Sequence, residues 1–550
     1  MRLLVQLTSP SPASETPTAP SVTFTLDGET VEVADDGISL LEALRDRLGK
    51  KTPKDGCSPQ GQCGCCTVWV DDAARVACVT PVRRVAGRRV TTLDGLDPAE
   101  RRRWAEAFTA TGASQCGFCT PGIIMRLAAL GRRKPVVDEG DVRTALLAHL
   151  CRCTGWCSVL EAARRAYQTT AVPPDAPRDL VAAARRAGIE GATDQSVGPH
   201  VALGGGGFAE DTAPADALVA VPDGHGGWVV AESLAGARAR AGKVQGRNST
   251  VAVGHPLAVA PGPWDLELRT TFTEPGYLEP DASWCEPGGT AASPLANGGA
   301  FGGKRASPVT DAARRLADEY GRCVRVVMAR EDVVGTRPKR PPMAAGVGHD
   351  GRGVVRVART PGSGTLDDWV GALRQVLPEV TVEEVVVPGP PVDGGLRGAG
   401  WVEATVLAAA LDARRGGRVG PGQEVTVVSR QGGRVTAAVA ADGAVTLRVA
   451  AGTVLDEVVL RSYAVGAAHQ ALGWVRSEGV AVDPDGAVVD LTIRSFGILT
   501  AREMPTVEVV VEDDGGPPVA AAEAVVAAVA AAAWLAAGLP PDWPVDRGGR

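Results

Sequence analysis

Residues 55–68 read DGCSPQGQCGCCTV. Cys57, Cys63, Cys65 and Cys66 fall within ten residues of a loop spaced by Gly, Ser, Pro and Gln, and Cys78 follows after eleven more residues. Two further sets lie downstream, SQCGFCTPG at 114–122 and LCRCTGWC at 150–157. Ten of the twelve cysteines sit between residues 57 and 157, and only Cys285 and Cys323 stand apart. The first third of the chain therefore has a chemistry that the rest lacks.

Thiolate is a soft ligand, and cysteines at short spacing favour zinc or iron–sulfur centres. One candidate set is Cys57, Cys63, Cys66 and Cys78, with Gly61 and Gly64 letting the loop wrap and Cys78 on a returning strand. A second is Cys116 and Cys119 with Cys151 and Cys153, both pairs at helix ends, where free N–H groups favour negative charge. Cys65 and Cys157 read as structural thiols. Disulfides require an oxidising compartment. The opening MRLLVQLTSPSPASETPTAP is too short an apolar run for a secretory signal, so the chain is expected in the cytoplasm. Zinc remains as an alternative, although Cys-x-Cys is tight for one tetrahedral ion and no His-x3–5-His pair accompanies it.

The chain has 550 residues, an apolar fraction of 45% and a net charge of −7. This length implies several domains, and the mixed charge carries no nucleic-acid footprint. The Ala-rich stretch 519–538 contains Glu523 and is flanked by prolines, so it predicts a buried helix and no membrane span. Alternating residues on both sides of Asp27-Gly28 predict a hairpin over 21–33. Ser39 and Glu42 predict a capping box opening a helix that Gly49 stops. Helical periodicity follows at 99–109, 121–130, 140–150 and 158–168. Further helices are expected at 312–319, 366–377, 403–413 and 464–478. The expected division is a disordered tail at 1–20, a small mixed α/β domain at 21–95, a four-helix domain at 96–170, a linker at 171–196 around AVPPDAP, and one or two α+β domains over 197–550.

GCSPQGQCGCCTV, QCGFCTPG and CRCTGW together resemble the iron–sulfur part of the molybdenum hydroxylases, the family of xanthine dehydrogenase and aldehyde oxidoreductase. The resemblance covers nearly all of residues 21–168. It implies an α+β multidomain fold: a β-grasp plant-type ferredoxin domain, a four-helix [2Fe–2S] domain, then a compact molybdopterin-binding-subunit-like region. It further implies two [2Fe–2S] clusters, one on Cys57, Cys63, Cys66 and Cys78, the other on Cys116, Cys119, Cys151 and Cys153. Gln115 matches the family's glutamine that hydrogen-bonds the pterin of the molybdenum cofactor. One departure is that five residues, not four, separate Cys57 from Cys63.

In the rest of the chain, NGGAFGGK at 297–304 satisfies G-x-x-x-x-G-K, but Arg305 stands where a phosphate loop needs Ser or Thr. GGGGFA at 204–209 is a weak dinucleotide pattern with no clear helix behind it. NGGAFGGK instead resembles the glycine turn of the family's molybdopterin-binding subunit. TFTEPGYLEPDAS (271–283), VRVVMAREDVVGTRPKRPP (324–342), RGAGWVEA (397–404) and GAAHQALGWVRSEG (466–479) resemble further pieces of it, in order. The resemblance then implies a molybdenum–molybdopterin cofactor contacting Gly298, Gly299, Phe301, Gly302, Gly303, Arg397 and Gln470. Against it, the region is about half the family's length, and Gly516 stands where the family's catalytic glutamate belongs. The leading expectation is an iron–sulfur oxidoreductase relaying single electrons between a molybdenum site and an external acceptor. That expectation includes a flavoprotein or other acceptor as partner, a small-molecule substrate and a separate molybdenum subunit. A self-contained hydroxylase of aldehydes or N-heterocycles, and a scaffold with structural clusters, are the alternatives.

Overall fold

The computed structural model describes residues 20–168, 178–242, 246 and 252–547. The expected tail, apart from Pro20, and the Pro-rich stretch 171–177 lie outside these residues. Strands β1 (Ser21–Leu26) and β2 (Glu29–Ala34) pair antiparallel across Asp27 and Gly28, both at positive φ. With β3 (Thr67–Val70), β4 (Ala73–Val76) and β5 (Arg89–Thr91) they form a mixed sheet of order β2-β1-β5-β3-β4. Val22, Phe24 and Leu26 alternate inward, as period-two patterning requires. Helix α1 (Leu40–Glu42) continues as a π-helical turn over Ala43–Arg47. Ser39 Oγ accepts the Glu42 N–H at 3.2 Å, but the expected reciprocal half of the box is missing: the Glu42 carboxylate accepts the Ala235 N–H instead.

The helical module comprises α2 (Pro98–Thr111), α3 (Thr120–Arg133), α4 (Glu139–Ala145) and α5 (Cys157–Tyr167). Asp97 and Asp138 cap α2 and α4. The periodicity that suggests a helix to residue 150 gives way at Ala145 to a 3-10 turn (Leu146–Ala148), which swings the chain into Cys151.

The stretch expected as a linker, 171–196, holds a helix, α6 (Leu180–Gly191). Ala183 and Ala187 pack against Val459, and the fully buried Arg186 pairs with Glu190 and donates to the carbonyls of Ala451 and Val519. The Glu190 carboxylate in turn accepts the N–H groups of Ala521 and Ala522. The helix is thus held by partners far along the chain, which no local pattern reveals.

Short helices α7 (Pro199–Ala202) and α8 (Ala209–Thr212) lead into three four-stranded sheets. The first, order β7-β6-β10-β9, contains β6 (Leu218–Pro222), β7 (Trp228–Ala231), β9 (Ala282–Cys285) and β10 (Val324–Val327), with helices α9 (Leu234–Ala241) and α10 (Val309–Tyr320). The second, order β13-β12-β11-β8, contains β8 (Leu266–Arg269), β11 (Met343–Val347), β12 (Gly353–Arg359) and β13 (Val380–Val386), with α11 (Arg330–Thr336), α12 (Asp367–Arg374) and α13 (Trp401–Arg415) nearby. The third, β14 (Val425–Val428) to β17 (Val507–Glu512) through β15 (Arg434–Val439) and β16 (Val445–Ala450), lies against α14 (Glu457–Arg476) and α15 (Ala522–Ala536). One apolar core runs from Phe24 through the helical module to Trp534. The Ala-rich stretch is α15, buried almost all round, and among the described residues no helix is long and apolar enough to cross a membrane.

Candidate metal centres

The loop between α1 and β3 folds back on its own cysteines. Cys57 Sγ accepts the N–H groups of Gln60 at 3.3 Å and Gln62 at 3.4 Å. The neighbouring Cys63 and Cys78 thiols hold the Cys57 thiol well below its ordinary pKa. Cys78 also meets Cys66, whose Sγ accepts the Cys78 N–H at 3.5 Å. Cys78 sits in a 3-10 turn (Ala77–Val79) just past β4 rather than on the strand. In the enlarged loop Ser58 takes a positive φ of 49° and donates its N–H to Asp55. Gln60 is pinned at both ends of its side-chain amide, by Leu491 O and Ile493 N.

The second set gathers at the start of α3 and before α5. Cys116 Sγ and Cys153 Sγ are 3.7 Å apart. A tetrahedral metal with sulfur bonds of about 2.3 Å sets sulfur–sulfur edges of about 3.8 Å, so this pair is spaced to share one metal. Contact with Cys119 draws the Cys151 thiol down to about 6, aided by Thr154 Oγ1 at 3.0 Å. Among the described residues no three His, Cys, Asp or Glu side chains close around a single ion. In the first set Cys57 meets Cys63 and Cys78, and Cys78 meets Cys66; in the second Cys116 meets Cys153 and Cys119 meets Cys151. All of these cysteines are buried, with N–H donors aimed at sulfur in the first set, which is what a negatively charged cluster needs.

The two sets adjoin. Leu150 N–H, one residue before Cys151, donates to the Cys63 carbonyl at 3.0 Å. The Cys65 thiol, read as structural, touches Cys63 and lies near enough to Cys151 to feel its charge. His149 is wedged beside this junction with Nε2 3.2 Å from Thr67 Oγ1, and burial pushes it down to about 3, so it stays neutral.

The residues assigned to the pterin behave differently. Gln115 Nε2 donates to Cys153 O at 3.0 Å and Ser462 Oγ at 2.9 Å. Gly299, at φ +85°, lies directly on the second cysteine set: a Cβ there would meet Cys153 Sγ and Cys116 Cβ at 3.2 Å. The cavity lined by Gly298, Gly299, Cys116 and Cys153 is about 10 Å³, against the several hundred cubic ångströms of a small-molecule site. Lys304, at the end of the glycine turn, is held by Glu279 at 2.7 Å and Pro294 O at 2.9 Å. Phe301 lies under the Arg397 guanidinium, and Gly302 and Gly303 abut Leu396 and Tyr277.

Arg397 donates to the carbonyls of Glu274 and Pro275 and pairs with Glu478 at 3.4 Å. Burial and the neighbouring Arg152 push its pKa down to about 9. Arg152, between Cys151 and Cys153, makes a bidentate pair with Glu478 at 2.6 and 2.5 Å. Arg340 pairs with Glu403 and Lys339 with Glu274. Gln470 is buried on α14 beside His469. The donor sets thus fit two iron–sulfur clusters, whereas Gln115, Phe301 and Arg397 are engaged by protein neighbours and the cavity beside the glycine turn is small.

Gly516 lies elsewhere, on the loop after β17. Its carbonyl accepts from Thr453, and its N–H donates to Asp514. Sequence reasoning does not single out Arg152 or Glu478; the position of Arg152 between two ligands is the available signal.

Residues 24–83 match the family described as a 2Fe-2S iron-sulfur cluster binding domain, and residues 92–164 match the [2Fe-2S] binding domain. One subunit of the nicotinate dehydrogenase of Pseudomonas putida is 40% identical over 155 residues, covering 28% of this chain and 98% of that one. Xanthine dehydrogenase of Emericella nidulans is 39% identical over 157 residues, covering 26% of this chain and 11% of that one. Aldehyde oxidoreductase of Desulfovibrio gigas superposes with a TM-score of 0.70 at 14% identity, over 96% of this chain and 99% of that one; at this identity the likeness is one of fold. Nearly the full length of a dehydrogenase subunit is therefore matched within the segment that brings the cysteines together, and the chain belongs to the molybdenum hydroxylase family as an iron–sulfur oxidoreductase of that class.

Proposed function

We propose that Cys57, Cys63, Cys66 and Cys78 hold one [2Fe–2S] cluster and Cys116, Cys119, Cys151 and Cys153 the other, and that the chain relays electrons between them. When bound, each cluster takes up and returns a single electron. The protein's part is to bury the sulfurs, supply N–H donors to them and hold the two loops in register. The observation that carries the reading is the hydrogen bond from Leu150 N to Cys63 O, which joins a ligand of one set to the neighbour of a ligand of the other.

Residues 21–95 serve as the ferredoxin unit and 96–170 as the helical one. The region 197–550 closes over them. The oxidised substrate is a small molecule, and the molybdenum centre belongs to a partner subunit, because Gln115 and Arg397 here are engaged by protein partners. The nicotinate dehydrogenase relative is by name one subunit of a larger enzyme, which supports a partner for this chain. Much of the interval between the helical module and α7 is filled by α6, so electrons leave to a separate flavoprotein or other acceptor. A reducing, cytoplasmic setting agrees with twelve unpaired cysteines.

The test is Cys116→Ser and, separately, Cys66→Ser in natively expressed protein. Each variant loses one of two [2Fe–2S] electron paramagnetic resonance signals and half the iron while the other signal persists. Unchanged iron in either variant overturns the ligand assignment.

A further inference from the structure

Arg330 opens α11 and is wholly buried. Its Nη2 donates to Gly56 O at 2.8 Å and Leu278 O at 2.6 Å, its Nε lies 3.3 Å from Gly56 O, and its Nη1 has no partner. Other cations buried as deeply, such as Arg186, Lys339, Arg152 and Lys304, each face a carboxylate. Among the described residues Arg330 has none within ion-pair distance. Burying a charge without a counter-charge is very costly, so buried charges are paired or sit at metal centres.

The missing negative charge has a location close by. Gly56 immediately precedes Cys57, and a Cβ on it would lie 3.1 Å from both Cys63 Sγ and Cys65 Sγ. Arg330 therefore grips the backbone of the first cysteine loop at the residue that touches its sulfurs. Two ferric ions, two sulfides and four thiolates sum to a dianion, and one-electron reduction makes a trianion. A fixed cation beside the loop stabilises the reduced form more than the oxidised one.

We propose that Arg330, contributed by the C-terminal region, is the counter-charge of the cluster on Cys57, Cys63, Cys66 and Cys78, and holds the reduction potential of that cluster up. The step it favours is uptake of one electron from a reductant, with no proton moved. The proposal rests on the ligand assignment above and gives the C-terminal region a role in electron transfer without a cofactor of its own.

The experiment is a redox titration of the full chain with dithionite, following the two cluster signals separately, in the parent, Arg330→Met and Arg330→Lys. The Met variant shifts the first cluster's midpoint to more negative potential and leaves the second in place. The Lys variant stays near the parent. An unshifted midpoint in Arg330→Met, or equal shifts in both variants, overturns the proposal. Where Arg330→Met fails to assemble the first cluster, retention of that cluster in Arg330→Lys supports the charge role; its loss in both variants shows a packing role and overturns it. Absence of the first cluster from the parent itself refutes the ligand assignment instead, and iron content distinguishes the two failures.

Discussion

Both the cysteine-bearing third and the C-terminal two-thirds carry motif residues, yet the two sets of side chains face different things. In the first, Cys57, Cys116, Cys153 and their partners turn toward shared interior points, and backbone N–H groups turn with them. In the second, the motif residues turn toward one another: Arg397 to Glu478, Arg340 to Glu403, Lys304 to Glu279. A ligand site turns its donor atoms toward a shared point, whereas a structural junction pairs its charges with one another. By that measure the N-terminal third is built to hold something, and the C-terminal region is built to close on it. Arg330 differs from these cations in facing no carboxylate among the described residues, and it points back to the cysteine loop.

The sharpest way to break the comparison is at Glu478, whose carboxylate lies between Arg152 and Arg397. Glu478→Ala leaves two buried guanidiniums facing each other. Removing one partner of a buried pair costs about 3–5 kcal/mol, so the denaturation midpoint falls steeply, and the second cluster is lost earlier than the first during unfolding, because Arg152 lies between two of its ligands. A loss under 1 kcal/mol, roughly that of an exposed pair, means the junction is not holding the region shut.

A smaller effect is expected at Asp211, which receives Lys54 and Arg45 and fastens the ferredoxin unit to α8. Burial pushes Asp211 up, but Arg45 and Lys54 outweigh it and hold the carboxyl below its ordinary range. Its folded value thus lies below the unfolded one, about 3.9, so its contribution is present above that pH and is lost as pH falls through the depressed value. Asp211→Asn costs about 1.5–3 kcal/mol at neutral pH, the range of a charged hydrogen bond. The gap to the parent closes on acidification below about pH 4. Urea denaturation at pH 7 and pH 3 checks both points, and a gap that widens in acid contradicts the assignment.

The asymmetry also explains what the sequence made legible. The Asp27-Gly28 hairpin and the four helices of the second module were legible, and the short spacings within GCSPQGQCGCC, CGFC and CRC marked those cysteines as candidates. Those signals are all within a few residues of what they specify. The C-terminal junction has no such locality. Arg152 and Glu478 are 326 positions apart, and nothing near either announces the other. Helix α6 is hidden for the same reason: its buried Arg186 looks solvated until Glu190, Ala451 and Val519 surround it. Motif likeness places Gly298 and Arg397 near a cofactor because it records residue types; it does not record that Gln195 lies against the one and Glu478 against the other.

Gly299 sharpens the comparison at the seam between the regions. Its backbone is left-handed, and the position of its missing Cβ is bounded by Cys116 and Cys153. Gly299→Ala costs about 1–2 kcal/mol from the backbone alone. The new methyl presses on two ligands of the second set, so the line shape of that cluster's resonance changes while the first is unmoved. Perturbation of both, or of neither, places the glycine turn away from the second cluster.

The smallest effect is expected at Gly516, on the loop after β17. The resemblance puts Gly516 where the family has a catalytic glutamate, and a positioned base is worth about 10²–10⁴-fold in rate. Gly516→Glu restores that carboxylate, and the site accepts it: a Cβ would find Asp514 Oδ1 at 3.5 Å and Gly452 Cα at 3.9 Å, both ordinary contacts. Its hydrogen-bond partners, Thr453 and Asp514, belong to the outer end of the third sheet and touch none of the cysteines. Stability should change by no more than about 0.5 kcal/mol, as for a surface substitution, and oxidation of aldehydes or N-heterocycles by the isolated chain should remain at the parent's level. A gain in turnover means that the loop after β17 reaches a reacting centre, and the account of the C-terminal region as a closed junction then fails at that point.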